Sequence, residues 1–68
     1  MRLTFLGTGS DNGSCPTLYE TDRGTYVVQG YKVTDPEALA DLRDVLEGED
    51  FVEIPRELIK FARPEDRA

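Results

Sequence analysis

The chain has 68 residues, with 14 acidic and 8 basic side chains, no histidine and one cysteine. This length allows one domain with a small core, so we expect marginal stability or a stabilising partner. Without histidine the chain lacks the usual general base and the commonest zinc ligand, and one cysteine excludes an internal disulfide. The formal charge of −6 disfavours sequence-independent nucleic-acid binding, which depends on Lys and Arg. We therefore predict a protein that is not an enzyme, uses no cofactor or metal, and does not contact nucleic acid directly.

No targeting or membrane-spanning pattern stands out. The apolar stretch at the start of the sequence ends at Gly7, and no segment approaches the ~20 apolar residues that a membrane span needs. A lone thiol suits a reducing compartment better than a secreted, disulfide-stabilised miniprotein. The sequence therefore predicts a cytoplasmic protein with no membrane partner.

A short β-strand begins at Leu3 and runs into a loop rich in glycine, from Gly7 to Ser14. The glycine spacing does not match a dinucleotide-binding loop, and a strand rather than a helix follows, so a structural loop is favoured. One alternative stays open. The loop could serve a small anion- or ligand-binding domain, or a minor enzyme, in which Lys32 or Arg23 meets an anion.

The next segment predicts a β-hairpin. Residues 17–21 and 25–29 are rich in β-branched and aromatic side chains, and the turn between them ends in Gly24. Gly30 interrupts the second strand, which resumes at residues 31–33. A glycine inside a strand marks a bulge or a close backbone approach, and a bulge would curl the sheet.

A helix is predicted over residues 35–47. Asp35 can cap it, Pro36 suits its first turn, and Gly48 can end it. Its apolar side chains, which we expect to lie on the sheet, are Leu39, Leu42, Val45 and Leu46. Its acidic side chains, which we expect to face away, are Asp41, Asp44 and Glu47.

The remaining elements complete an α+β fold. Residues 51–54 predict a fourth strand, residues 56–62 a short C-terminal helix, and residues 63–68 a charged tail that frays. We thus expect one domain over residues 1–62, with a curled antiparallel sheet of three to four strands and the 35–47 helix packed on one face. The predicted core consists of Leu3, Phe5, Leu18, Val27, Val33, Leu39, Leu42, Leu46, Val52, Ile54, Leu58 and Phe61.

The acidic helix face is the main functional clue. A plain solvated face is the simplest interpretation, and a docking surface for a basic partner is the functional one. Tyrosines on the hairpin strands are common interface anchors, although in so small a domain they can equally complete the core. Cys15 has no neighbouring cation to activate it and suits a partly buried, apolar position. The predicted partner-binding residues are Tyr19, Tyr26, Tyr31, Asp41, Asp44 and Glu47.

Three features give the chain a family resemblance. They are a loop ahead of a cysteine (residues 12–15), the hairpin of residues 17–28, and a strand and terminal helix over residues 52–61. In these features the chain resembles the small acidic actinobacterial proteins encoded beside helix-turn-helix regulators, the BldB-like and WhiJ-associated group. Leu58 stands where that group has a tryptophan, and the 35–47 helix is additional.

The resemblance implies a non-enzymatic accessory protein that pairs with a DNA-binding regulator. The leading hypothesis is accordingly an interaction or regulatory module. A structural homo-oligomer subunit is a further alternative, because the edges of so small a sheet are unprotected and favour homodimers.

Overall fold

The computed structural model describes residues 1–9 and 15–67. Its strands are β1 (Leu3–Thr8), β2 (Thr17–Thr21), β3 (Tyr26–Gln29), β4 (Tyr31–Lys32) and β5 (Val52–Glu53). Its helices are α1 (Pro36–Asp41) and the 3-10 helices η1 (Arg56–Phe61) and η2 (Pro64–Asp66). The α+β character is confirmed in this coarse sense, with short helices and two separate sheets.

The predicted hairpin forms the centre of a three-stranded antiparallel sheet in the order β1-β2-β3. Thr21 closes the turn between β2 and β3. Its hydroxyl oxygen accepts the backbone N–H of Arg23 at 3.0 Å and of Thr25 at 3.2 Å. Gly24 occupies the left-handed region at φ 74°, which glycine adopts without the steric cost of a side chain. Local turn chemistry therefore determines this hairpin.

We expected a bulge or a close backbone approach at Gly30, and the structure has these two features at different positions. The register shift lies in β1 between Phe5 and Gly7. At Gly30 the chain instead leaves the first sheet, and β4 pairs with β5 in a separate two-stranded sheet. A Cβ at Gly30 would lie 2.8 Å from the carbonyl oxygen of Glu53, so the close backbone approach is confirmed there. The predicted fourth strand is shorter than expected and does not extend the main sheet.

The predicted 35–47 helix is wrong in its length and packing. The Asp35 side chain does cap it, accepting the N–H of Glu37 at 2.9 Å, and Pro36 begins it. The helix ends at Asp41, however, and none of its residues is buried. Its final turn carries no basic side chain. A basic side chain there would interact favourably with the negative end of the helix dipole. A short helix without tertiary packing is marginal, so amphipathic spacing alone does not sustain it.

The core is correspondingly smaller than predicted and lies between the three-stranded sheet and η1. Leu18 and Leu58 are buried, with 3% and 1% of their surface exposed. Four more of the predicted core residues are half-buried: Val27, Val33, Ile54 and Phe61. Six are exposed, which corrects the prediction: Leu3, Phe5, Leu39, Leu42, Leu46 and Val52. The reason is that η1, rather than the 35–47 helix, covers the sheet.

A close fit joins η1 to the sheet. A Cβ at Gly7 would overlap the ring of Phe61, so glycine is what allows this approach. Thr17 and Thr21 on β2 are also buried, although the sequence did not predict them as core residues. We refer to β1, β2, β3 and η1 together as the sheet body.

The charged segment after residue 62 contacts the sheet body. The Arg63 guanidinium donates two hydrogen bonds to the Glu20 carboxylate, one of them at 2.8 Å. The Tyr26 hydroxyl accepts the backbone N–H of Arg63 at 2.9 Å and donates to the Asp66 carboxylate at 2.5 Å. Hydrogen bonds therefore join residues 63–66 to the hairpin. The predicted fraying of the 63–68 tail concerns motion and stays a prediction.

Candidate interaction surface

Charge is distributed very unevenly along the chain. Residues 35–53, which we call the acidic arm, contain eight carboxylates and one arginine, for a formal charge of −7. The rest of the chain has six carboxylates and seven Lys and Arg side chains, for a charge of +1. The arm thus carries all of the excess negative charge.

The acidic arm is also where apolar side chains face solvent. Leu39, Leu42, Val45 and Leu46 are 41%, 38%, 50% and 67% exposed. Sequence reasoning assigned three of these four to the core, because helical spacing predicted a face packed on the sheet. The sequence feature that indicates an early end of the helix is the absence of a basic residue from the last turn of α1. Exposed apolar side chains therefore lie among carboxylates along residues 39–46.

The base of the arm holds an open cavity of about 410 Å³ between β4, β5 and the start of α1. Its lining residues are Lys32, Val33, Thr34, Asp35, Ala38, Val52 and Glu53. The Lys32 ammonium lies 3.3 Å from the Asp50 carboxylate. A hydrogen bond from the Phe51 backbone N–H and, second, the Lys32 side chain lower the pKa of Asp50. The ion pair joins Lys32 on β4 to Asp50, two residues before β5.

The predicted acidic site residues all lie on the arm and are exposed: Asp41, Asp44 and Glu47. Asp41 is the last residue of α1. Asp44 adopts a left-handed backbone conformation at φ 53°, which Asp tolerates better than most residues. Because the helix ends before Asp44, the three carboxylates do not form the single helix face that their spacing predicts.

The predicted tyrosines fall into two groups. The Tyr19 hydroxyl donates to the Gln29 side chain at 3.0 Å, and the Tyr19 ring meets that of Phe5 edge to face. The Tyr26 hydroxyl is occupied by Asp66 and Arg63, and its hydrogen bond to Asp66 raises the pKa of Tyr26. Tyr31 is 78% exposed on β4, beside the acidic arm. Tyr31 is therefore the tyrosine that the structure presents together with the arm.

The alternative site around the loop is described only in part. Residues 10–14 of the loop, including Ser14, lie outside the described residues. Lys32 is paired with Asp50, and the Arg23 guanidinium lies 3.8 Å from the sulfur of Met1. The cavity at Lys32 is lined by the carboxylates of Asp35 and Glu53, which disfavour an anion.

Cys15 is half-buried, and its Sγ lies 3.9 Å from the Gln29 carbonyl oxygen. Within residues 1–9 and 15–67, no group of three or more Cys, Asp or Glu side chains is placed to hold a metal ion. In the same ranges, no helix has the length and apolar character required to cross a membrane.

Comparison of the chain with protein-family models, with curated proteins and with solved structures gives no match. The candidate surface is therefore defined by this chain's own charge, exposure and geometry.

Proposed function

We propose that the protein is a non-enzymatic, cytoplasmic interaction module that binds a basic protein surface through the acidic arm and Tyr31. One observation carries the proposal: a charge of −7 within residues 35–53 coincides with five exposed large apolar side chains, the four named above and Val52. The absence of histidine and the single cysteine further support a role without bond-breaking chemistry.

Charge and apolar exposure contribute different parts of binding. The concentrated carboxylates steer a basic partner toward the arm and repel acidic surfaces, which mainly affects association rate and specificity. Apolar and aromatic anchors supply most of the affinity when they are desolvated at the centre of an interface. Tyr31 and the exposed leucines of the arm meet that second requirement.

The family resemblance makes a helix-turn-helix regulator the first partner to test. Such regulators bind DNA through Lys and Arg side chains, so they carry the surface chemistry that an acidic arm would recognise. In this proposal the protein contacts the regulator rather than the nucleic acid.

Two charge-matched variants test the proposal. Asp41→Lys/Glu47→Lys changes the arm from −7 to −3, whereas Asp22→Lys/Glu57→Lys makes the same change in exposed residues outside the arm. Asp44 is left intact because lysine is less well tolerated at its positive φ. Each protein is used as bait in native lysate and then titrated against the purified partner.

A partner that binds the wild type and the Asp22/Glu57 variant but is lost with the Asp41/Glu47 variant supports the proposal. Equal recovery by both variants, or recovery of no partner, contradicts it. Replacing Tyr31 by Ser in a third variant should weaken the same binding without changing stability, because Tyr31 is largely exposed.

A structural homo-oligomer subunit is the second candidate function. It is favoured by exposed apolar residues on β1, which lies at the edge of the sheet: Leu3 is 48% and Phe5 is 56% exposed. An uncharged edge strand can pair with a second copy. Sedimentation equilibrium decides this candidate, since a concentration-independent monomer mass excludes it.

A further inference from the structure

We infer that the acidic arm docks a basic amphipathic helix of its partner and that docking extends α1 from Asp41 to Glu47. The inference rests on the proposed function and gives the partner's chemistry: an apolar stripe flanked by Lys or Arg side chains. Helix extension on binding is a form of coupled folding and binding.

In the free arm, α1 ends several residues before the amphipathic pattern does. Leu42 ends α1 in an extended conformation, with φ −73° and ψ 146°, and its N–H donates to the Leu39 carbonyl at 3.3 Å. Asp44 follows at φ 53°, and no residue from 42 to 51 is helical. The amphipathic pattern nevertheless continues to Glu47. The residues that could complete the helix are thus present and exposed.

Two unfavourable contributions to the free energy of a longer helix explain why α1 ends at Asp41. Asp41, Asp44 and Glu47 place negative charge at the carboxyl end of the helix, where the helix dipole disfavours it, and no basic residue stands in the last turn. In addition, α1 buries no residue, so no tertiary contact offsets the entropy of ordering more backbone.

If residues 36–47 are helical, the exposed apolar side chains share one face. Leu39, Leu42 and Leu46 follow each other by three and four positions, and Val45 lies beside them. Asp41 then borders this stripe on one side, and Arg43 lies between the stripe and Glu47 on the other. The completed helix would therefore present an apolar strip with an acidic margin at Asp41, and with Glu47 beyond Arg43 on the opposite side.

Charge complementarity selects the occupant of this strip. A basic amphipathic helix covers the leucines with its own apolar face and brings cations to the carboxylates of Asp41 and Glu47, so it relieves both unfavourable contributions at once. A second copy of this chain is disfavoured at the same surface, because two arms of −7 would meet. The partner is accordingly a basic helix rather than another arm.

Arg43 offers a matched pair of variants that separates helix formation from charge. Arg43→Pro and Arg43→Ala remove the same charge, but proline interrupts an extended helix whereas alanine favours it. Proline suits the free arm because the preceding residue, Leu42, is already extended. Isotope-labelled wild-type protein and both variants are titrated with a synthetic amphipathic peptide of leucine and lysine, and Cα chemical shifts are followed by NMR. A peptide of the same composition in scrambled order is the control.

With wild type and Arg43→Ala, the peptide is expected to give helical Cα shifts at residues 42–47 and stronger binding than the scrambled peptide. Arg43→Pro should bind about a hundredfold more weakly than Arg43→Ala, the factor that corresponds to proline inside a helix. Binding of the two variants within a factor of about two, with shifts on the arm but none of them helical, overturns the helix extension and leaves the proposed function standing. No shift anywhere on residues 35–53 with wild type contradicts both.

Discussion

The sheet body and the acidic arm are both built from short elements, but only the sheet body has an interior. In the sheet body, η1 contacts β1 and β2, Phe61 lies against Gly7, and Leu18 and Leu58 are buried. In the arm, α1 buries none of its residues and the following segment is exposed.

Charge explains why the arm does not join the sheet body. Packing its leucines on the sheet as one helix would place acidic side chains three or four positions apart beside each other and leave the carboxyl end of the helix unfavourably charged. Burial of a few leucines inside the monomer does not offset that cost here. The comparison therefore separates a region whose apolar residues stabilise the fold from one whose apolar residues remain available for binding.

The largest expected effect comes from removing Leu58. Leu58→Ala should cost about 2–5 kcal/mol, because a fully buried leucine is replaced by a cavity. A chain of this size is stabilised by about 3–10 kcal/mol, so this loss is a large fraction of the total stability and should lower the urea midpoint strongly. Leu46→Ala is the control and should change stability by less than about 0.5 kcal/mol, since Leu46 is 67% exposed. Urea unfolding measures both, and equal losses would contradict the distinction between sheet body and arm.

The next effect concerns the contact between Gly7 and Phe61. Gly7→Ala should destabilise the protein by about 1–3 kcal/mol, because the new methyl group overlaps the Phe61 ring and forces η1 away. Gly9→Ala tests the specificity of this contact, as a Cβ there would lie 3.4 Å from the Pro16 ring. A urea midpoint for Gly7→Ala as high as that of Gly9→Ala would show that η1 does not approach β1 so closely.

A smaller, pH-dependent effect comes from the Arg63 and Glu20 pair. Hydrogen bonding to Arg63 lowers the pKa of Glu20 below its ordinary value of 4.5. A lowered pKa in the folded state contributes stability that is complete above about pH 4.5 and is lost as the pH falls through the folded-state pKa.

The measurement is the urea midpoint as a function of pH, together with NMR titration of the Glu20 carboxyl group. Arg63→Gln should raise the Glu20 titration midpoint and weaken the fall in stability on acidification. Arg56→Gln, an exposed arginine on η1, should change neither. Identical profiles for the two variants would rule out a contribution from the pair.

The smallest expected effect is that of arm charge on the stability of the fold. Asp41→Lys/Glu47→Lys alters two exposed side chains outside the sheet body, so the free energy of unfolding should change by less than about 0.5 kcal/mol per substitution. A large gain in stability would show that the arm packs on the sheet body once its charge is reduced, and that its charge keeps it apart in the wild type. A large loss would contradict the separation of the two regions.

Local sequence determined the hairpin, the start of α1 and the short helix η1. The turn at Gly24 and the cap formed by Asp35 and Pro36 act within a few residues, so their structure follows from residue type and order. The clustering of negative charge in residues 35–53 is likewise a property of the sequence alone.

Tertiary structure decided which apolar residues form the core. Periodicity predicts that Leu39, Leu42 and Leu46 share a helical face, but it does not show whether anything covers and so sustains that face. The close approach of Phe61 to Gly7 and the pairing of Arg63 with Glu20 join positions more than 40 residues apart in sequence, and neither leaves a local pattern. Burial depends on which distant segments cover the same sheet face, and here η1 covers it, with Leu58 buried and Phe61 fitted against Gly7, whereas α1 buries none of its residues.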